Sequence, residues 1–257
     1  MKCILCKSRR THIIDSLDKN TLQEIWHKEY NIDVTDTIKQ DLDLFECDCC
    51  LLKFWDPAPE GTGAFYAELA KNPWYYPESK WEYDICSSWV SARDEVLEVG
   101  CGEAHFSRRI PATYRGLELN PDVANDITIL NQTIQEHAVE YKGCYDWVFA
   151  FQMLEHTNDP AGIIENMIAC LKPSGKLVLG LPNDASWLGQ ARMFALNTPP
   201  HHLTRWSVSS LERMSQIFGL HLMRVDFMPF KEDYALKFVD SAPKNTGDVF
   251  VATFRRA

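Results

Sequence analysis

Three groups of residues in this 257-residue sequence have types and spacings suited to chemistry. The first is a pair of knuckles, Cys3-x2-Cys6 and Cys47-x2-Cys50. Four thiolates at such spacing suit a tetrahedral Zn2+ with no open position. The metal is therefore expected to be structural, and the segment around it to need the ion to fold. Cys49 is an alternative fourth ligand, but it would leave a CxC geometry, so Cys50 is preferred. The second group is the run Val96-Leu-Glu98-Val-Gly100-Cys-Gly102-Glu103-Ala-His-Phe-Ser107. Here a short apolar strand enters a glycine turn that opens a helix, and the missing Cβ atoms allow a tight turn and close approach of a ligand. Glu118 falls at the expected end of the next strand, where a carboxylate can accept hydrogen bonds from ribose hydroxyls. The third group is Glu155-His156 and the double histidine His201-His202. Histidine titrates near neutrality, which makes His156, His201 and His202 candidate general bases, with Glu155 beside them. Each also has an ordinary reading as a hydrogen-bonded loop anchor.

The glycine loop separates two kinds of nucleoside cofactor. A dinucleotide-binding turn wants a third glycine or alanine where this chain has His105, and it holds a pyrophosphate on the helix N-terminus. Glu103 at that terminus would repel a diphosphate. S-adenosylmethionine carries no phosphate and meets no such objection.

The elements that must position these residues follow from local patterns. Residues 1–60 are bracketed by the cysteine pairs, with a polar amphipathic helix expected over Asp15–Asp33. Asp56-Pro-Ala-Pro-Glu-Gly-Thr-Gly63 is rich in breakers and reads as a linker. Residues 61–93 are aromatic-rich and should form two short helices. From residue 94 to 257 strands alternate with helices. Strands are expected at Glu95–Val99, Tyr114–Leu119, Thr128–Leu130, Tyr145–Phe151, Lys176–Leu181, Leu220–Phe227 and Asp248–Phe254. Helices are expected at Ala104–Ile110, from Pro121 to Asn125, at Pro160–Leu171 and at Val208–Phe218. The almost wholly apolar Tyr145–Phe151 suits a parallel strand buried on both faces. The alternation predicts an α/β, doubly wound, mainly parallel sheet.

Composition narrows the function. Apolar residues make up 46% of the chain, enough for a full core. A formal net charge of −10 argues against a protein whose main task is gripping a phosphate backbone. No apolar run reaches the roughly 18 residues that a bilayer demands, and the N-terminus has no signal-peptide core, so a cytoplasmic protein is expected.

The runs LEVGCG at 97–102, GLELNP at 116–121, YDWVFAFQMLEHTNDP at 145–160 and LKPSGKLVLGLPN at 171–183 together resemble the class I S-adenosylmethionine-dependent methyltransferase family. More narrowly, they resemble its small-molecule branch of quinone and sugar methyltransferases, and the cysteine module resembles that of zinc-carrying sugar methyltransferases. The resemblance implies a Rossmann-like sheet of seven strands whose last strand is antiparallel and inserted beside the fifth. It implies that Glu98, Gly100 and Gly102 flank the methionine end of S-adenosylmethionine and that Glu118 binds its ribose. It further implies that Thr133 and Ile134 lie near adenine, and that Phe151 and Gln152 lie near the sulfonium. In relatives the segment around Trp74-Tyr-Tyr76 and Lys80-Trp-Glu-Tyr83 caps the cofactor, so Tyr76 is a candidate to reach the cofactor or the acceptor. Relatives with Glu-x-x-Glu-His after the fourth strand can bind a divalent ion there. This chain has Gln152 in the first position, and the loss of that anion argues against a catalytic metal. The expected activity is methylation of a small polar acceptor such as a sugar or a related metabolite. The alternatives are a quinone-like phenol, a nucleic acid, or a non-catalytic scaffold that keeps the cofactor fold. The oligomeric state is left open.

Overall fold

The computed structural model describes residues 1–121, 123, 128–191, 194–229 and 247–256. The N-terminal segment is an antiparallel sheet with one helix against it. β1 (Thr11–Leu17), β2 (Leu42–Cys47) and β3 (Lys53–Asp56) pair in that order, and α1 (Lys19–Tyr30) joins the first two. Asp18 starts α1 by accepting the Thr21 amide at 3.0 Å, and Asn31 closes it in the left-handed region at φ 56°. The helix expected over Asp15–Asp33 is thus shorter, and Asp15 to Leu17 belong to β1. That strand carries no clean alternation: only Leu17 is buried, and its pairing with β2 slips between Ile13 and Asp15.

α2 (Gly63–Ala70), capped by the Thr62 hydroxyl, and α3 (Trp81–Ser87) are the two short helices expected next. β4 (Glu95–Val99), β5 (Thr113–Leu117) and β6 (Ile129–Leu130) then run parallel. A 3-10 turn, His105–Arg109, replaces the helix expected over Ala104–Ile110. Ala104 stands in the left-handed region at φ 53°, and Ile110 is already extended, which leaves too few residues for an α-helix. The helix expected over Pro121–Asn125 lies largely outside the described residues. α4 (Ile134–Glu140) opens on a capping box between Thr133 and Glu136. β7 (Tyr145–Phe151) is buried almost throughout. α5 (Pro160–Cys170) has Asp159 as its cap and proline in its first turn. β8 (Leu171–Pro182) is longer than the expected Lys176–Leu181, and its pairing with β7 shifts between Tyr145 and Trp147. β9 (Thr204–Arg205), α6 (Val208–Ile217), β10 (Leu220–Phe227) and β11 (Val249–Arg256) complete the chain.

The large sheet has the order β10-β11-β8-β7-β4-β5-β6, with β11 antiparallel to both neighbours. The carboxyl ends of β4, β5, β7 and β8 therefore share one edge, where a doubly wound sheet opens its crevice. The N-terminal sheet leans on the same edge. Its fourth strand is β9, from the chain after β8, with Lys53 opposite Arg205 and Phe54 opposite Thr204. Cys3, Cys47, Leu52 and Phe54 pack in one core with Leu97, Val148 and Leu179.

Candidate active site

The floor of the crevice is the turn after β4. Gly100 (φ +71°), Gly102 (φ +52°) and Ala104 (φ 53°) are all left-handed. A Cβ on Gly100 would lie 2.5 Å from Met153 Cγ, and one on Gly102 would lie 3.1 Å from the Tyr76 ring. Glu118, just past β5, is pinned to this floor. One carboxylate oxygen accepts the Gly102 amide at 2.9 Å and the other accepts the Asn120 amide at 2.9 Å. Glu98 is buried beneath the turn and accepts the Tyr114 hydroxyl at 2.5 Å. Burial pushes its carboxyl up to about 8.

Other expected contacts fall unevenly. Phe151 is buried among Tyr83, Phe106 and Phe149. Gln152 takes a left-handed conformation (φ 52°), and its Nε2 donates to Glu82 at 3.0 Å. Glu82, buried in α3, was missed: a lone carboxylate in an aromatic segment carries no signal of this partnership. The Thr133 hydroxyl is occupied by its capping box, and Ile134 is buried in the core, so neither presents a free polar side chain. Tyr76 does lie over the glycine turn.

The three histidines converge. Ring centroids are 4.4 Å apart for His156 and His201, 5.0 Å for His156 and His202, and 4.5 Å for His201 and His202. Two segments carry them: the 3-10 turn Leu154–His156 after β7 and the turn after Ala195–Asn197. The Leu203 amide donates to the Glu155 carbonyl at 2.8 Å and ties those segments together. Burial holds His156 down at about 4 and pushes His201 and His202 well below their usual range. Burial also raises Glu155 to about 8. The N-terminal segment closes over this cluster. The Trp26 indole donates to the Pro199 carbonyl at 2.9 Å, and Glu29 accepts the Ala195 amide at 3.3 Å. Tyr66 and Tyr75 line the same cluster, 6.4 and 6.1 Å from His201 by ring centroid. Tyr75 in turn touches Tyr76 at 4.9 Å, so two tyrosines separate the histidines from the glycine turn.

The chain matches the family model described as "Methyltransferase domain" over residues 62–225. It belongs to the methyltransferase-domain family. Its strand order, with β11 antiparallel between β8 and β10, is that of the class I, Rossmann-like methyltransferases. A Thermotoga maritima protein described as an S-adenosylmethionine-dependent methyltransferase, possible histamine N-methyltransferase, shares this fold. The TM-score is 0.53 at 17% identity, covering 68% of this chain and 88% of that one. The plantazolicin methyltransferase solved with S-adenosylhomocysteine gives 0.53 at 14% identity, covering 74% and 90%. Among curated proteins, the ubiquinone biosynthesis O-methyltransferase of Vibrio parahaemolyticus is 31% identical over 103 residues, which is 35% of this chain and 44% of that protein. The Erwinia tasmaniensis protein of the same name is 30% identical over 157 residues, or 49% and 65%. The chain thus spans about half the length of the curated relatives it matches.

The chain has a second cluster, in its N-terminal segment. Cys3 Sγ and Cys50 Sγ are 3.5 Å apart, as are those of Cys6 and Cys47, and all four sulfurs lie within 4.8 Å of one another. Cys49 instead contacts the Ser8 hydroxyl at 3.2 Å. The hydrogen bond from Cys50 lowers Cys3 to about 5 and raises Cys50, while burial lifts Cys47 to about 11. Among the described residues no helix is long and apolar enough to cross a membrane.

Proposed function

We propose that the protein transfers the methyl group of S-adenosylmethionine to a hydroxyl oxygen of a small polar acceptor. The observation that carries this reading is the Cβ-free floor at Gly100 and Gly102 with Glu118 pinned at its lip. The cofactor, when bound, supplies an electrophilic methyl group on a cationic sulfur. Each Glu118 oxygen is tied to one amide and keeps lone-pair capacity for a ribose hydroxyl. Glu98, largely protonated in its buried setting, regains its charge when a cation is brought beside it. Tyr76 covers Gly102 and Met153 packs against Gly100, which gives the turn an apolar cover that would exclude water from the transfer. The histidine cluster offers lone pairs to an acceptor hydroxyl. Acceptor methylation at oxygen is further supported by the similarity of 35% of the chain to a ubiquinone biosynthesis O-methyltransferase. The same reading assigns Cys3, Cys6, Cys47 and Cys50 to one structural Zn2+. Sulfurs on a tetrahedral zinc lie about 3.8 Å apart, close to the spacing present.

Calorimetry with S-adenosylhomocysteine tests the cofactor assignment. Glu118→Ala should weaken binding by about 1–3 kcal/mol, the usual loss for charge-assisted hydrogen bonds. Preference for a nicotinamide dinucleotide would overturn it.

A further inference from the structure

We infer that Glu82 is a positioning residue that turns the Gln152 amide so that its carbonyl oxygen is free for the sulfonium, and that the pair thereby favours cationic S-adenosylmethionine over its neutral product. This rests on the methyl-transfer reading, with Gln152 beside the sulfonium. The two residues come from distant parts of the chain. Glu82 lies in the first turn of α3, ahead of the large sheet. Gln152 directly follows β7, at the edge where the crevice opens. The Gln152 side-chain nitrogen donates to Glu82 Oε1 at 3.0 Å.

The direction of that bond decides which end of the amide is free. An amide has a donor end and an acceptor end, whereas the oxygens of a carboxylate only accept. The nitrogen must therefore turn to Glu82, and the carbonyl oxygen is the end left for a ligand. Among the described residues none donates to that oxygen. The backbone of Gln152 is held as well. Its φ of 52° is left-handed, which is uncommon for a residue with a side chain, and its backbone amide donates to the Gly180 carbonyl at 2.8 Å. Strain of this kind persists where the surroundings fix a residue for a purpose other than packing.

Glu82 supplies the second observation. It is 4% exposed, and among the described residues it has no ion-pair partner. Space is reserved for it on β8. A Cβ on Gly180 would sit 2.9 Å from the Phe151 ring and 3.3 Å from Glu82 Cγ, so a side chain there would displace one of them. A buried carboxylate held only by a neutral amide is costly, and a cation brought nearby offsets that cost. The hydrogen bond passes the effect on, because a carboxylate behind the amide nitrogen makes the amide oxygen more negative. S-adenosylmethionine brings the cation. The product sulfur carries no charge, so the attraction ends once the methyl group has left, and the product is held less tightly than the cofactor.

Calorimetry on the full chain with S-adenosylmethionine and with S-adenosylhomocysteine is the test, and the ratio of the two affinities is the readout. Glu82→Gln keeps the side-chain volume but can donate to the Gln152 oxygen, which lets that amide turn over. It should lower the preference for S-adenosylmethionine about tenfold, the usual weight of one charge-assisted hydrogen bond, and leave S-adenosylhomocysteine affinity nearly unchanged. Gln152→Met keeps the length and removes the oxygen, and it should lower the preference by a similar factor. Because Glu82 acts through Gln152, the double substitution should fall no further than Gln152→Met alone. Circular dichroism confirms folding, and Gln152→Met carries the test should Glu82→Gln fail to fold. An unchanged ratio in either variant, equal losses for both ligands, or additive losses in the double substitution overturns this proposal alone. Parent protein that binds neither ligand overturns the methyl-transfer reading and this proposal with it.

Discussion

Gly100→Ala is the substitution whose effect can be worked most fully from the geometry. Two costs add. A side chain at φ +71° carries a left-handed penalty of about 1–2 kcal/mol. The new Cβ would also sit 2.5 Å from Met153 Cγ and 3.0 Å from Met153 Cβ. Rotating the Met153 side chain relieves the first contact but not the second, because a Cβ moves only with its backbone. Forced rearrangement of this kind costs about 1–3 kcal/mol, for a total of about 2–5 kcal/mol. The displacement is directed at function, since Met153 immediately precedes the turn that carries Glu155 and His156. Gly143 provides the control. It is also left-handed, at φ +66°, but nothing lies within 4 Å of its would-be Cβ. Gly143→Ala should therefore lose only about 1–2 kcal/mol. Urea unfolding gives the stabilities and calorimetry gives S-adenosylhomocysteine affinity. Gly143→Ala should bind as the parent does, and Gly100→Ala should lose at least tenfold, about 1.4 kcal/mol. Parent-like binding by Gly100→Ala, or a stability loss no greater than that of Gly143→Ala, would refute the reasoning.

Two further outcomes follow from buried groups. Cys47→Ser should abolish binding of the zinc proposed for the cysteine cluster and raise amide exchange across β1, β2 and β3 while β7 and β8 stay protected; an ordered N-terminal sheet in metal-free protein would contradict this. His137 is 1% exposed, and its Nε2 lies 2.8 Å from the Tyr145 hydroxyl. Burial depresses it to about 4 from an ordinary 6.5, so the unfolded chain takes up the proton first. Its contribution is complete above pH 6.5 and is lost as the pH falls toward 4. Between pH 7 and pH 5 the loss is about 2 kcal/mol. His137→Gln should flatten the stability profile by that amount, and an unchanged slope would refute the assignment.

What the sequence alone determined lies within short stretches of chain. The glycine turn, Glu118 after the second strand, the buried β7 and the CxxC spacings each depend on backbone conformation or burial over fewer than about twenty residues. A left-handed glycine or a doubly buried strand leaves its mark in residue type, so these features were legible. Tertiary structure decided the rest, for a common reason. His156 meets the carbonyl of His201 across 45 positions, Gln152 meets Glu82 across 70, and Trp26 reaches Pro199 across 173. No periodicity links residues so far apart. Their meeting depends on which strands are neighbours and on how the N-terminal sheet borrows β9. The irregular β1 and the two-residue β9 are strands only because partners pair with them. Three histidines that read separately as possible bases become one buried cluster with Glu155, because the loops after β7 and β8 open at the same edge of the sheet.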